Sequence, residues 1–152
     1  MRRRGLVFYD FNGTLRDDLA YVYAGVRYTF ERFGLPPPTF EEHQRHATAD
    51  FASFYWERGV SREVTSDDLN RIIAEGLAAL PYPPLFPEAA GVVAQSTQDA
   101  HAFIVSGWPQ QMLEAALVHH GIAEHLTEVH GGITAKAPVF IRACAAYGID
   151  PG

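Results

Sequence analysis

The chain has 152 residues, 47% of them hydrophobic and 20% charged, with a net charge of −6. That is room for one domain with a proper core, or a small core plus an insert, and the negative balance argues against a nucleic-acid or anionic-membrane partner. No apolar run approaches the roughly 20 residues that span a bilayer. The apolar start at Leu6 is cut short by Asp10, too soon for a signal-peptide core, and Arg2-Arg3-Arg4 reads as a solvated terminus. The single cysteine, Cys144, has no partner for an internal disulfide, so the expected compartment is a reducing cytoplasm.

Residues 6–11 read as a short buried strand closed by an Asn-Gly-Thr turn. Residues 17–33 read as a helix, with Leu19, Val22, Tyr23, Val26, Phe30 and Phe33 at helical spacing and Gly34 placed to end it. After Pro36-Pro37-Pro38, Thr39 and Glu42 have the form of a capping box that opens a helix running to about Arg58. Ser66 starts another, with Leu69, Ile72, Ile73, Leu77 and Leu80 on one face. The prolines from Pro81 to Pro87 close this helical block, and Pro87 suits the first turn of a helix reaching Thr97.

Residues 101–105 form the second strand candidate, ending in Ser106-Gly107; Pro109 then opens a helix with Met112, Leu113, Ala116 and Leu117 inward, ended by Gly121. A weaker strand at 126–130 leads to Gly131-Gly132, and residues 136–147 are helical. Strands alternating with helices imply an α/β fold whose core is a Rossmann-like parallel sheet with right-handed crossovers. The expected division is a core of 1–16 and 87–152 with a helical insertion of 17–86. The seven histidines show no metal-ligand pattern, and Phe51, Phe54, Tyr55 and Trp56 read as packing within the insertion.

In open parallel sheets the working groups sit at the C-terminal strand ends. Asp10, Ser106 and Lys136 lie at those ends or just beyond. A strand-end carboxylate can be a nucleophile, a metal ligand or a helix cap. Here it meets a tight turn in which Gly13 permits close approach and backbone amides can face an anion. Ser106 and the Gly107 amide can both donate to a phosphate, and Lys136 offers a cation to offset charge on a phosphoryl group.

On these residues the chain resembles the haloacid dehalogenase superfamily of phosphatases and phosphotransferases. That family's first motif is Asp-x-Asp-Gly-Thr after a buried strand, and Asp10-Phe-Asn-Gly-Thr14 matches four of its five places. Phe103-Ile-Val-Ser106-Gly107 resembles the second motif, and Lys136-Ala-Pro138 the third with one residue interposed. The helical block resembles the mobile cap of the phosphoglycolate-phosphatase-like branch. The resemblance implies a Mg²⁺-dependent phosphatase of a small phosphorylated metabolite. Asp10 is then the nucleophile, and Mg²⁺ lies between Asp10 and the backbone carbonyl of Asn12. Gly13, Thr14, Ser106, Gly107 and Lys136 hold and neutralise the phosphate.

Two departures accompany it. Asn12 stands where phosphatases of the family carry an acid that protonates the leaving group, and an amide transfers no proton at neutral pH. Downstream of Lys136 the only acid is Asp150, whereas the family places a further strand with metal-binding aspartates there. The core is thus expected to be incomplete at its C-terminal side, with the edge of the first strand open. Three explanations stand side by side: a piece of a longer phosphatase, which is preferred; a homodimer whose partner covers the edge; or a catalytically silent member that binds phosphate or a protein partner. A dehalogenase using Asp10 on carbon is a further alternative.

Overall fold

The computed structural model describes residues 5–46 and 50–150. They divide into two compact units, one drawn from Met1–Asp17 and Pro83–Gly152, the other Asp18–Tyr82. The divisions fall at 17/18 and 82/83, against the expected 16/17 and 86/87. Leu85 and Phe86 account for the later difference, because both pack against the core of the sheet unit.

The sheet unit is built on three parallel strands in the order β1-β2-β3: β1 is Gly5–Tyr9, β2 is Ala100–Val105 and β3 is Glu128–His130. This is the Rossmann-like α/β core expected. The register pairs Gly5 with Ala100 through Tyr9 with Ile104, and Phe103 with Glu128 through Val105 with His130. β2 is central and fully buried from Ala102 to Val105, which is why it reads as an unbroken apolar run. β1 lies at the edge of the sheet, and its apolar Leu6–Tyr9 stretch is only half-buried.

The period of two assigns the two faces. Tyr9, Ile104 and Val129 share one register row and pack with Val93 of α5 (Ala89–Ser96) and Leu113, Ala116 and Leu117 of α6 (Gln110–His119). On the other face Phe8 stacks on Phe103 with ring centroids 5.0 Å apart. Phe140 and Tyr147, in and just after α7 (Ala137–Ala146), cover them, Phe140 at 4.6 Å from Phe8 and Tyr147 at 5.8 Å from Phe103. Fully burying a Leu or Phe contributes about 1.5–3 kcal/mol. The first face holds most such residues and is the main hydrophobic centre of this unit.

The first strand stops at Tyr9, two residues before its expected end. Phe11 has turned inward: its side chain is fully buried, and its carbonyl accepts from the amides of Thr14, Leu15 and Arg16. Pro87 precedes α5 by two residues and does not sit inside its first turn.

The helical unit contains α1 (Leu19–Arg32), α2 (Phe40–His46), α3 (Phe51–Trp56) and α4 (Ser66–Leu77). The Thr39–Glu42 capping box forms, with Thr39 N–H donating to Glu42 at 2.7 Å and Glu42 N–H to Thr39 Oγ1 at 3.2 Å. The single helix expected from it is two, α2 and α3. Asp50 starts the second one, accepting from the Ser53 amide and from the Ser53 hydroxyl at 2.6 Å; positions 47–49 of the expected helix lie outside the described residues. Leu80, expected on the inner face of α4, lies past its end and is 40% exposed. Val26, Phe30, Phe54, Tyr55 and Leu69 form the core of this unit, so the aromatic run from Phe51 serves packing.

Among the described histidines, His43 stands out by its burial. It is buried on α2, its ring centroid 5.8 Å from both Tyr23 and Phe54, and its Nδ1 has no hydrogen-bond partner. Desolvation therefore holds its pKa below the ordinary value of 6.5. A folded-state pKa below the unfolded one means the unfolded chain takes up the proton first as pH falls. The stability that neutral His43 permits is present above about pH 6.5 and declines as pH drops toward the lowered folded pKa. Urea unfolding of the parent should accordingly lose more stability between pH 7.5 and 5.5 than unfolding of a His43→Leu variant. Equal losses would show that His43 titrates normally.

Candidate active site

Parallel pairing sets the ends of β1 and β2 side by side. Tyr9 is level with Ile104, so Asp10 follows β1 where β2 ends and Ser106 begins the next loop. β3 ends at His130, whose carbonyl accepts from the Ser106 amide at 2.9 Å, and the Ile133 amide returns to the Ser106 carbonyl at 3.0 Å. Ser106 is thereby fixed through both backbone groups, and it is buried.

The side chains continue this order. Lys136, the N-cap residue of α7, places Nζ 2.9 Å from Asp10 Oδ1, with both side chains partly open to solvent at 35% and 41%. Ser106 Oγ accepts from the Trp108 amide at 3.1 Å and donates to Asn12 Oδ1 at 3.3 Å. The structure thus brings Asp10 to Lys136 and Asn12 to Ser106. Thr14 and Gly107 lie exposed on the same two loops.

Gly13 has φ +68, and a Cβ built there would meet nothing within 4 Å. The requirement is conformational: the turn needs the left-handed region, which glycine enters without penalty. The amides of this turn differ from expectation. Gly13 N–H donates to the Arg16 carbonyl at 3.0 Å and Thr14 N–H to the Phe11 carbonyl at 3.3 Å, so both close the turn and neither is directed at an anion.

Several supporting residues were not singled out from the sequence. Arg16 is fully buried, with its guanidinium carbon 4.7 Å from the Phe11 ring centroid and 5.4 Å from that of Trp108. It bridges the turn after β1 to the loop after β2, and a desolvated cation–π contact of this kind is worth about 2 kcal/mol or more. An arginine between Leu15 and Asp17 carries no sequence signal for burial. Gln110 ties the loop after β3 to α6: its side chain donates to the Val129 carbonyl at 3.2 Å and accepts from the Gly131 amide.

Asp10 and the Asn12 carbonyl are the oxygen donors expected to hold Mg²⁺. Among the described residues no group of three His, Cys, Asp or Glu side chains converges on a metal position. One carboxylate with one carbonyl suits a hard cation that keeps waters and takes further oxygens from a substrate phosphate, which is the habit of Mg²⁺. The donor set fits that ion in kind and is sparse in charge.

A parallel α/β sheet that presents an aspartate to a lysine at its C-terminal edge, with a glycine turn and a fixed serine alongside, has the arrangement of a hydrolase core. The chain belongs to the haloacid dehalogenase-like hydrolases, which match it over residues 7–151. Among solved structures it is similar to a haloacid dehalogenase-like family hydrolase from Streptococcus pneumoniae, at TM-score 0.75 and 19% identity over 100% of this chain and 74% of that one. It is also similar to a predicted phosphoglycolate phosphatase from Haemophilus somnus, at TM-score 0.70 and 17% identity, covering 98% of this chain and 74% of that one. A predicted phosphatase from Clostridium acetobutylicum gives TM-score 0.77 and 15% identity, covering 97% and 72%. At these identities the likeness is one of fold. No curated protein matches the chain. Among the described residues no helix is long and apolar enough to cross a membrane.

Proposed function

We propose that this hydrolase is a Mg²⁺-dependent phosphatase of a small phosphorylated metabolite, acting through an aspartyl phosphate on Asp10. The observation that carries the reading is the 2.9 Å contact between Lys136 Nζ and Asp10 Oδ1. It supports a reading in which a cation stands ready to meet the phosphoryl group that Asp10 attacks. In the first step an Asp10 oxygen attacks phosphorus, a new P–O bond forms, and the bond to the leaving group breaks. In the second, water attacks the same phosphorus, the aspartyl P–O bond breaks, and inorganic phosphate departs. Lys136 orients the carboxylate beforehand and offsets phosphoryl charge during transfer. The bonds made by Ser106 hold the neighbouring loop, and Thr14 and Gly107 supply hydroxyl and amide donors at its rim. Mg²⁺, held by Asp10 and the Asn12 carbonyl, supplies further charge neutralisation at the phosphoryl oxygens when bound. Buried, unpaired Cys144 accords with a reducing cytoplasm as the site of action.

Removing a single preorganised donor of this kind typically costs about 10²–10³ in turnover. Lys136→Ala should lose activity on that scale, read as phosphate release at saturating substrate. The direct test of the reading is the protein with Mg²⁺ and beryllofluoride, followed by fluorine NMR. An adduct that Asp10→Asn abolishes supports the phosphatase. No adduct at high metal favours a catalytically silent domain, the second reading, to which Asn12 and the sparse donor set both lend weight.

A further inference from the structure

The side chain of Asn12 narrows the substrate of this same site, an inference that rests on the phosphatase reading. Ser106 Oγ receives the Trp108 amide and directs its own proton to Asn12 Oδ1, at 3.1 and 3.3 Å. The chain of bonds Trp108–Ser106–Asn12 fixes the amide by its oxygen and leaves nitrogen as the donor end. It also commits the Ser106 hydroxyl proton to Asn12. Lys136 holds its ammonium on the nucleophile. Among the described residues, the side chains fixed by these contacts, those of Lys136, Asn12 and Ser106, provide hydrogen bonds and positive charge, and none of them is a carboxylic acid.

An alkoxide leaves phosphorus readily only if it is protonated as the bond breaks. A carboxylate or a phosphate anion leaves without that help. We infer that the substrate is a phosphoryl donor whose leaving group departs as a stable oxyanion, an acyl phosphate or a phosphoanhydride, and not an alkyl phosphate monoester. The balance is complete. Asp10 displaces the oxyanion, which leaves with the electron pair of the broken P–O bond. Water then releases phosphate from Asp10, its proton passing to solvent, and Asp10 departs as a carboxylate that again needs no acid.

The test is the dependence of kcat/KM on the leaving group. The whole protein with Mg²⁺ is assayed on a series of substituted phenyl phosphates, on acetyl phosphate, on inorganic pyrophosphate and on glycerol phosphate, with Asp10→Asn as the control for chemistry at this site. The expected result is a steep fall in kcat/KM as the phenol becomes more basic, with acetyl phosphate or pyrophosphate at least about 10²-fold ahead of glycerol phosphate. Which of those two leads separates the acyl phosphate from the anhydride. Asn12→Asp should flatten the slope and shift the ratio of glycerol phosphate to acetyl phosphate upward by about 10²–10⁴, the ordinary worth of a positioned acid. Asp10-dependent turnover with a shallow slope in the parent protein overturns the inference alone, since it reveals another acid at work. Asp10-dependent turnover of glycerol phosphate without that of acetyl phosphate or pyrophosphate also overturns the inference alone, and no Asp10-dependent turnover of any phosphate in the series overturns it together with the phosphatase reading.

Discussion

Asp10→Asn should melt with the parent protein and turn over almost nothing. The carboxylate is partly solvated, and its ion pair with Lys136 is formed by side chains 41% and 35% exposed. Pairs of that exposure contribute about 0–1 kcal/mol to stability. The chemical consequence is of a different order. An amide oxygen is a far poorer nucleophile toward phosphorus, and removing the group that forms the covalent bond typically costs about 10⁴-fold or more in kcat. Circular dichroism melts beside phosphate release from acetyl phosphate give both numbers in one preparation. A variant that keeps a tenth of the parent rate would remove Asp10 from the bond-forming step. A variant that unfolds would show that the ion pair is structural.

Gly131→Ala is expected to have the largest effect on stability. A Cβ at this position would stand 2.6 Å from Gln110 Cα, 2.8 Å from Gln110 N and 2.8 Å from the Trp108 carbonyl oxygen. All three are backbone atoms, so no rotamer change relieves the overlap. The loop after β3 and the start of α6 must move apart. That motion strains the bond from Gly132 N–H to the Trp108 carbonyl, 2.7 Å long, and the bond from the Gly131 amide to Gln110. Overpacking of this kind costs about 1–3 kcal/mol and occasionally more, and backbone on every side puts this case at the upper end. At about 2–4 °C per kcal/mol for a chain of this size, a fall in Tm of about 6–12 °C is expected. Gly132→Ala is the useful comparison. Its Cβ would meet nothing within 4 Å, and only its φ of +68 opposes the change, a penalty of about 1–2 kcal/mol. If the two variants melt together, backbone crowding at Gly131 is not what sets its cost.

Much of this architecture could be read from the chain because local and tertiary demands agree. Ala102 to Val105 is buried on both faces, so burial writes itself into an unbroken apolar run. Asp10, Ser106 and Lys136 are far apart in sequence, yet topology alone sends strand ends and the following helix start to one edge. What escaped depends on contacts that no local pattern encodes. The break between α2 and α3 turns on Asp50 acting as a cap, in a stretch whose polar residues also suit a helix surface. Arg16 looks like a solvated arginine until folding brings the Phe11 and Trp108 rings to it. A glycine turn after a strand can by residue type face its amides toward an anion, whereas the direction of the Gly13 and Thr14 amides is decided by the carbonyls of Arg16 and Phe11.

Where the chain leaves the sheet unit and where it returns, the two segments run antiparallel. Arg16 bridges to Leu85, Phe86 N–H donates to the Leu15 carbonyl at 2.9 Å, and Asp17 N–H donates to the Pro84 carbonyl at 2.9 Å. This short ribbon is a clasp. An excursion whose ends are already clasped costs the sheet unit only closure entropy, and doubling its length adds only about 0.6 kcal/mol. Residues 18–82 can therefore grow, shrink or be exchanged for an unrelated segment while the strand that bears Asp10 keeps its register. The turn that carries Asp10 and the segment of residues 18–82 are thermodynamically separable.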